Sequence, residues 1–251
     1  MIDIHSHLLP GVDDGAATVE ASVQVLHRFA RDGVSTVVCT PHLRATAAAA
    51  VPLERYDETF AALAASAPPV PALLRGWEIM LDAPGQPLDA PMLRLANSLA
   101  ILVEFPRGGL PLAAGRELER LRETGVVPVV AHPERYLGCT AATVREWRAA
   151  GAVIQTDAMM LLGSGPMTAL ARDMLEEGLI DCLASDNHGD GRTLATARRW
   201  LEELGAVEQA ELLTATNPGR VLADDPVLPV PPVRLDRGVL ARLRALVFGR
   251  A

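Results

Sequence analysis

Apolar residues along this chain form two alternating patterns. Short runs rich in Val, Ile, Leu and Ala, most of them without regular polar alternation, are typical of parallel strands covered on both faces by helices. Seven such runs are predicted to be strands: Ile2–His5, Ser35–Thr40, Ala72–Ile79, Ala100–Phe105, Val126–Ala131, Ala152–Thr156 and Asp181–Ser185.

Longer segments between these runs carry apolar residues at helical spacing. In Val19–Asp32, one such stripe is formed by Ser22, Val25, Leu26, Phe29 and Ala30, and Gly33 follows where a C-terminal cap is expected. Five more helices are predicted near Leu53–Ala65, Ala113–Thr124, Thr140–Ala150, Pro166–Glu177 and Arg192–Leu204. Strands that alternate with helices in this way indicate an α/β barrel or a doubly wound sheet.

Three segments interrupt the alternation. Arg44–Pro52 and Asp82–Pro91 are expected to be mobile loops on one rim. Pro226–Val233 is expected to be a stiff, extended linker. It leads to Leu235–Phe248, where an apolar stripe accompanied by arginines predicts a last amphipathic helix. That helix either packs on the barrel or serves as an oligomer contact or a membrane-surface docking helix.

Composition narrows the class of protein. The 251 residues include 23 basic residues, all arginine, against 31 acidic ones, and the net charge of -8 argues against a protein that coats nucleic acid. The cysteines (Cys39, Cys139 and Cys182) are widely separated and odd in number, which excludes a disulfide scaffold and indicates a reducing compartment. No signal peptide or transmembrane run is recognisable, so a cytoplasmic protein is expected. Residues 1–225 are predicted to form one domain, followed by a linker and helix over residues 226–251.

Candidate metal ligands lie at or just beyond the carboxyl ends of most of the predicted strands. Five of the six histidines and several carboxylates lie there: His5, His7, Asp13 or Asp14, His42, Glu78, Glu104, His132, Asp186 and His188. The carboxyl ends of parallel strands meet at one face, so these side chains are expected to converge. Without cations they would repel one another, whereas mixed His/Asp/Glu sites suit several divalent metals. His27 falls inside the first helix and is expected to be structural.

The same motifs resemble a known family. MIDIHSHLLPGVDDGA, TPH, GWEI, VEFP, PVVAHPERY and ASDNH occur in this order between residue 1 and about Leu222. They resemble the PHP (polymerase and histidinol phosphatase) superfamily, and within it the bacterial manganese-dependent protein-tyrosine phosphatases of capsular and exopolysaccharide biosynthesis. The resemblance implies a distorted (β/α)7 barrel with a metal cluster at the carboxyl ends of its strands. Three divalent ions are implied, with manganese expected and iron, zinc, cobalt or magnesium as alternatives.

The resemblance also implies which residues hold each ion. The first ion would be held by His5, His7, Glu78 and Asp186. Glu78 would bridge to the second ion, which Glu104 and His132 complete. The third would be held by Asp14, His42 and His188, so the resemblance selects Asp14 over Asp13. It gives Arg135 and Arg192 the task of gripping phosphate oxygens, for which a planar guanidinium is suited.

The implied reaction is hydrolysis of protein phosphotyrosine by a hydroxide that bridges metal ions. Alternatives are a phosphatase for histidinol phosphate or another small ester, a PHP-type nuclease, and a non-catalytic metal-binding regulator. After TPH this chain has LRATAAAAVP, where the family continues with polar or aromatic residues, and this departure leaves the substrate open. The acidic balance counts against a nuclease, and the presence of all nine ligand positions counts against a regulator. Whether the chain forms a homo-oligomer is also left open.

One motif suggests a different chemistry. Cys139–Arg145 has the C-x5-R spacing of cysteine-dependent tyrosine phosphatases, which need a thiolate in a loop of backbone donors. Here the cysteine precedes Thr140, which is expected to be the N-cap of a helix. The spacing is therefore predicted to be a coincidence.

Overall fold

The structure is a computed structural model, and it describes residues 1–235. These residues form nine strands: β1 (Ile2–Ser6), β2 (Thr36–Cys39), β3 (His42–Arg44), β4 (Ala72–Arg75), β5 (Glu78–Met80), β6 (Ala100–Glu104), β7 (Val127–Ala131), β8 (Val153–Asp157) and β9 (Cys182–Ala184). Their α-helices are α1 (Val19–Asp32), α2 (Leu53–Ser66), α3 (Ala114–Glu123), α4 (Ala141–Ala149), α5 (Pro166–Glu176), α6 (Leu194–Glu203), α7 (Val207–Glu211) and α8 (Asn217–Leu222). All strand pairs are parallel, in the orders β1-β2-β4 and β3-β5-β6-β7-β8-β9.

The nine strands occupy seven positions around a barrel. β2 and β3 are successive segments of one position, as are β4 and β5, because only short breaks separate them. β9 is joined to β1 where the main-chain N–H of Asp186 donates to His5 O (3.0 Å) and that of His7 donates to Asn187 O (2.8 Å). The fold is a distorted (β/α)7 barrel, and the expected fold class is confirmed.

The single strand predicted over Ala72–Ile79 is divided into β4 and β5 in the structure, so this prediction was wrong. Gly76 lies in the break between them, and a Cβ atom there would lie 2.8 Å from Leu95 Cδ2 and 2.9 Å from Val38 Cγ1. Only glycine permits so close an approach, which is a common reason for glycine within a strand pattern. Beyond the break, His42 of β3 pairs in register with Glu78 of β5.

The helices follow the sequence pattern closely. α1 has the predicted bounds; the Thr18 side chain accepts a hydrogen bond from Ala21 N, and Gly33 ends the helix with φ of 85°. The other five predicted helices agree with α2–α6 within two residues at each end. α7, α8 and the π-helical turn between them, Leu212–Thr216, were not predicted.

The prediction of a mobile loop over Arg44–Pro52 is wrong. Arg44 ends β3, and Ala45–Ala50 form a 3₁₀ helix in which Ala45 and Ala48 are buried. Alanine is small enough to pack closely at both positions, so this low-complexity segment is part of the folded body. The second segment, Asp82–Pro91, contains no strand or α-helix, and Pro91 begins a short 3₁₀ turn.

The described part of the proline-rich tail lies against α5. Val230 and Val233 are buried, the N–H of Val233 donates to Leu175 O (3.3 Å), and that of Leu235 donates to Glu176 Oε1 (3.2 Å). Apart from Leu235, the predicted helix Leu235–Phe248 lies outside the described residues, and the domain boundary at residue 225 stays a prediction. Within residues 1–235, no helix has the length and apolar character that a membrane crossing requires.

Candidate metal centre

The nine residues expected to be metal ligands form one cluster in the structure. The imidazole rings of His7 and His188 lie 4.1 Å apart, and those of His7 and His42 lie 4.5 Å apart. Six members are almost completely buried: His5, His7, Glu78, Glu104, His132 and Asp186. The other three, Asp14, His42 and His188, are more exposed, so the cluster opens to solvent on their side.

The buried part of the cluster brings four ligand atoms together. The Nε2 atoms of His5 and His7 are 3.2 Å apart. Asp186 Oδ1 lies 3.3 and 3.2 Å from them, and Glu78 Oε2 lies 3.4 and 3.2 Å from them. Around a small divalent cation with bonds of about 2.1 Å, neighbouring ligand atoms are about 3.0–3.4 Å apart. The four atoms have the spacing that such a cation requires.

Glu78 connects this group to two others. Its Oε1 lies 2.7 Å from His132 Nε2, and its Oε2 lies 2.9 Å from His42 Nδ1. Glu104 lies beside the same pair, 3.6 Å from His42 Nδ1 and 3.9 Å from His132 Nε2. On the open side, Asp14 Oδ1 lies 3.3 Å from His42 Nε2 and 3.4 Å from His188 Nε2. The ligand atoms lie close enough to hold a metal ion in four overlapping groups: His5, His7 and Asp186; His5, Glu78 and His132; His42, Glu78 and Glu104; and His7, Asp14, His42 and His188.

Two buried atoms in the cluster test whether a cation fits. Glu78 Oε2 and His42 Nδ1 are 2.9 Å apart, yet neither makes a hydrogen bond of acceptable geometry. A buried polar atom left unsatisfied costs about 1–3 kcal/mol. A cation that accepts lone pairs from both atoms would remove this cost, so the donor set fits a divalent metal ion.

Two side chains that the family resemblance did not include among the nine ligands contact the predicted ligand histidines. Gln155 Oε1 lies 2.9 Å from His5 Nδ1, and Asp13 Oδ2 lies 2.7 Å from His7 Nδ1. Asp13 also accepts hydrogen bonds from the backbone N–H groups of Gly15 (2.9 Å) and His42 (3.1 Å). Partners of this kind fix the ring orientation of a ligating histidine. Asp13 therefore holds His7, and Asp14 is the aspartate that faces the imidazoles of His42 and His188 on the open side.

The backbone is strained at two of the predicted ligands. His132 has φ of 33° and Asp186 has φ of 46°, a left-handed conformation that costs non-glycine residues about 1–3 kcal/mol. His132 directly follows β7, and Asp186 is the second residue after β9. The turn directs their side chains to the cluster at the point where each strand ends.

The cluster strongly shifts the acidity of its members. Burial lowers the pKa of His5, but the charges of Glu78 and Asp186 outweigh it and raise this pKa to about 9. Burial and the charge of Glu78 raise the pKa of Glu104 to about 7. Burial also raises the pKa of Asp186, but His5, His7 and Arg135 hold it far below its usual range. Without a bound cation, His5 therefore keeps a proton at neutral pH, whereas burial lowers the pKa of His132 and that of His188.

Because His5 is protonated at neutral pH, we expect the metal affinity to depend on pH. A metal ion can bind His5 only after displacing its proton, and below pH 9 this costs about a factor of ten in affinity per pH unit for each proton released. The apparent Kd for Mn²⁺ is therefore expected to fall at least tenfold between pH 6 and pH 7, with proton release on binding. Isothermal titration calorimetry in two buffers of different ionisation enthalpy measures both. A pH-independent Kd would contradict the prediction.

The two candidate phosphate-binding arginines meet at one carboxylate. Arg135 Nη2 lies 2.5 Å from Asp186 Oδ2 and also pairs with the Asp157 carboxylate, whereas Arg192 Nη1 lies 3.5 Å from Asp186 Oδ2. Arg192 also binds Asp190 through Nε (2.9 Å). Asp157 was not predicted, although it ends β8 as Glu104 ends β6, and that position was the available signal. Both guanidinium groups thus border the cluster of histidines and carboxylates.

Cys139 belongs to none of the groups that could hold a metal ion within residues 1–235. Burial raises the pKa of the Cys139 thiol to about 12, and Arg145 pairs with Glu177. Thr140 caps α4 by accepting a hydrogen bond from Thr143 N (3.2 Å), as predicted. His27 lies on the exposed face of α1, outside the cluster.

Replacing Cys139 with serine is therefore expected to leave catalysis unchanged. Serine keeps the size of the side chain and removes only a protonated thiol. Phosphate release by Cys139→Ser and by the wild type, measured at the same pH and metal concentration, checks this. A loss of turnover with an unchanged thermal midpoint would restore the cysteine mechanism.

Together, the barrel and the cluster at its strand ends define an α/β-barrel protein of the metal-dependent hydrolase class. The chain belongs to the family described as Capsular polysaccharide synthesis, CpsB/CapC, which it matches over residues 1–223. The family expected from the sequence motifs is confirmed.

Relatives of known name support the assignment. The chain is 31% identical over 198 residues to the tyrosine-protein phosphatase YwqE of Bacillus subtilis (strain 168), covering 75% of this chain and 77% of that protein. It is 30% identical over 243 residues to the tyrosine-protein phosphatase CpsB of Streptococcus pneumoniae, covering 89% and 99%. A solved structure also superposes on this chain. It comes from work on YwqE of Bacillus subtilis and CpsB of Streptococcus pneumoniae, described there as unique metal-dependent tyrosine phosphatases. The TM-score is 0.77 at 30% identity, and the superposition covers 94% of this chain and 100% of that chain.

Proposed function

We propose that this protein is a metal-dependent phosphomonoesterase that hydrolyses phosphotyrosine in proteins and regulates capsular or exopolysaccharide synthesis. The observation that carries the proposal is the cluster around Glu78, bordered by the guanidinium groups of Arg135 and Arg192. Carboxylates and imidazoles for cations, together with arginines for anionic oxygens, are what phosphate-ester hydrolysis requires. The names of the curated relatives support the choice of phosphotyrosine.

The proposed ligand set has three parts, for three divalent ions with manganese expected. The first comprises His5, His7, Glu78 and Asp186; the second comprises Glu78, Glu104 and His132; the third comprises Asp14, His42 and His188. The measured separations add one refinement, because His7 also lies within reach of the third group. Divalent ions bound there would supply a hydroxide nucleophile near neutral pH and neutralise phosphate charge.

Besides the proposed metal ligands, two arginine side chains would bind the phosphate group. Arg135 and Arg192 would each bind phosphate oxygens through a planar guanidinium, and Asp157 would hold Arg135 in place. Burial lowers the pKa of Arg135, but Asp186 and Asp157 outweigh it and raise this pKa above its usual value, so the group stays charged. The leaving phenolate has a pKa of about 10, so a strong general acid is not essential.

The test is phosphate release from a phosphotyrosine peptide with added Mn²⁺, with a chelator control and with histidinol phosphate at equal concentration. Chelator-sensitive release that favours the peptide is the expected result. Release from histidinol phosphate alone would replace the proposal with a small-ester phosphatase. Release from neither ester would exclude a phosphomonoesterase of either kind and leave a nuclease or a regulator.

A further inference from the structure

β3 carries an arginine on the same face as a predicted metal ligand. His42 and Arg44 are two residues apart on this strand, so their side chains point to the same side, and Arg44 lies about 7 Å farther along the strand. Arg44 pairs in register with Met80 of β5, and Met80 pairs with Glu104 of β6. Arg44 therefore lies in the same layer of the barrel as Glu104, at the rim where the strands end.

A second arginine follows β6 at the same rim. Arg107 comes three residues after Glu104, in a loop whose start is fixed because the N–H of Phe105 donates to the Tyr136 hydroxyl (3.1 Å). Burial and the charge of Glu78 raise the pKa of Glu104, and the positive charge of Arg107 is one of those that oppose this rise. The guanidinium group of Arg107 thus acts electrostatically on the cluster of histidines and carboxylates.

Both guanidinium groups are exposed and free to bind a ligand. Within residues 1–235, neither Arg44 nor Arg107 forms an ion pair or donates a hydrogen bond. Asp82 is close enough to interact with the charge of Arg44, but its carboxylate accepts hydrogen bonds from the N–H and the hydroxyl of Thr46 (3.1 and 2.6 Å). An anion from outside the protein can therefore pair with both arginines.

We propose that Arg44 and Arg107 bind acidic side chains of the substrate protein next to the phosphotyrosine. This inference rests on the proposed function, because the carboxylates belong to the polypeptide that carries the phosphate. Arg135 and Arg192 contact Asp186 and are assigned to the phosphate itself, whereas Arg44 and Arg107 lie on β3 and after β6. A guanidinium group binds a carboxylate through two parallel hydrogen bonds, and complementary charge of this kind selects among partners.

The test compares two phosphotyrosine peptides with the full chain and saturating Mn²⁺. One peptide has aspartate at about three positions to either side of the phosphotyrosine, and the other has asparagine at the same positions. The variants are Arg44→Gln, Arg107→Gln and the double variant, and the matched control is Arg31→Gln, which changes an exposed arginine in the last turn of α1. The measured quantity is the ratio of kcat/KM for the aspartate peptide to kcat/KM for the asparagine peptide, in which any general effect on the centre cancels.

The wild type and Arg31→Gln are expected to prefer the aspartate peptide about tenfold, mainly through KM, because two exposed charge pairs contribute on this order. Each single variant should keep about a threefold preference, and the double variant should have none. Higher ionic strength should also reduce the preference of the wild type, because salt screens exposed charges.

Three results would overturn the inference. Equal kcat/KM for both peptides in the wild type would show that no acidic side chain is bound. A preference that persists in the double variant would place its origin elsewhere on the surface. A fall by the same factor for both peptides in the double variant would assign the two arginines to the phosphate.

The proposed function fails separately, if neither peptide releases phosphate. Fluorescence anisotropy of the two labelled peptides then decides the inference by itself. The aspartate peptide should bind the wild type about tenfold more tightly than the asparagine peptide, and the double variant should bind both equally. Equal binding of both peptides by the wild type would overturn the inference in this case as well.

Discussion

Glu78→Gln is expected to reduce phosphate release from a phosphotyrosine peptide by at least about 1000-fold. The carboxylate of Glu78 lies within 3.4 Å of the imidazoles of His5, His7, His42 and His132, and it is shared by the first and second proposed ligand groups. A neutral amide keeps the size of the side chain and removes the negative charge that cations would need there. Metal content per chain should fall together with turnover.

The matched control for this variant is Glu208→Gln, which makes the same change on the exposed surface of α7. Its metal content and turnover should equal those of the wild type. Metal content is measured by mass spectrometry after gel filtration, and folding by circular dichroism. A folded Glu78→Gln protein that keeps its metal and its turnover would remove Glu78 from the proposed centre.

Arg135→Ala is expected to lower kcat/KM for the same peptide by about 30- to 900-fold, which corresponds to about 2–4 kcal/mol of transition-state stabilisation. Its guanidinium contacts Asp186 at the edge of the cluster, where a phosphate would approach. Arg135→Lys should recover only part of the loss, because an ammonium lacks the planar fork. Arg145→Ala, which removes an exposed arginine on α4, should leave kcat/KM unchanged.

The loss of Arg135 also leaves the buried Asp157 carboxylate without its cation, which by itself destabilises the fold. The double variant Arg135→Ala/Asp157→Asn separates the two effects. Its thermal midpoint should recover towards that of the wild type, whereas kcat/KM should stay low. Recovery of both would show that Arg135 is structural, and an unchanged kcat/KM in the single variant would exclude it from phosphate binding.

Local interactions explain why the helices were predicted well. The bounds of α1 follow from Thr18 as a capping side chain, a repeating apolar stripe and Gly33 in a left-handed conformation. All three features lie within one stretch of sequence, so the pattern alone contains them. α7 and α8 lack capping side chains and are short, and their helical form depends on packing against the barrel.

Contacts between distant segments explain the errors. The division of the strand predicted over Ala72–Ile79 depends on Gly76 meeting Val38 and Leu95, which come from other parts of the chain. The alanine-rich segment after His42 is expected to be a loop because it does not fit the alternation of strands and helices, yet the tertiary structure buries Ala45 and Ala48. The local sequence does not show which residues pack against Gly76, or which ones cover Ala45 and Ala48.

For the candidate site, the sequence by itself determined the chemical types and their position at strand ends. Histidines and carboxylates at successive strand ends converge in any parallel barrel, because all strands point the same way. The tertiary structure alone decided which atoms face each other: Gln155 against His5, Asp13 against His7, and Asp157 against Arg135. Gln155 and His5 are 150 residues apart along the chain, and Asp157 and Arg135 are 22 apart, so only the folded barrel brings these atoms within hydrogen-bond distance. Asp13 and His7 are six residues apart, and the geometry of the turn between them sets their contact.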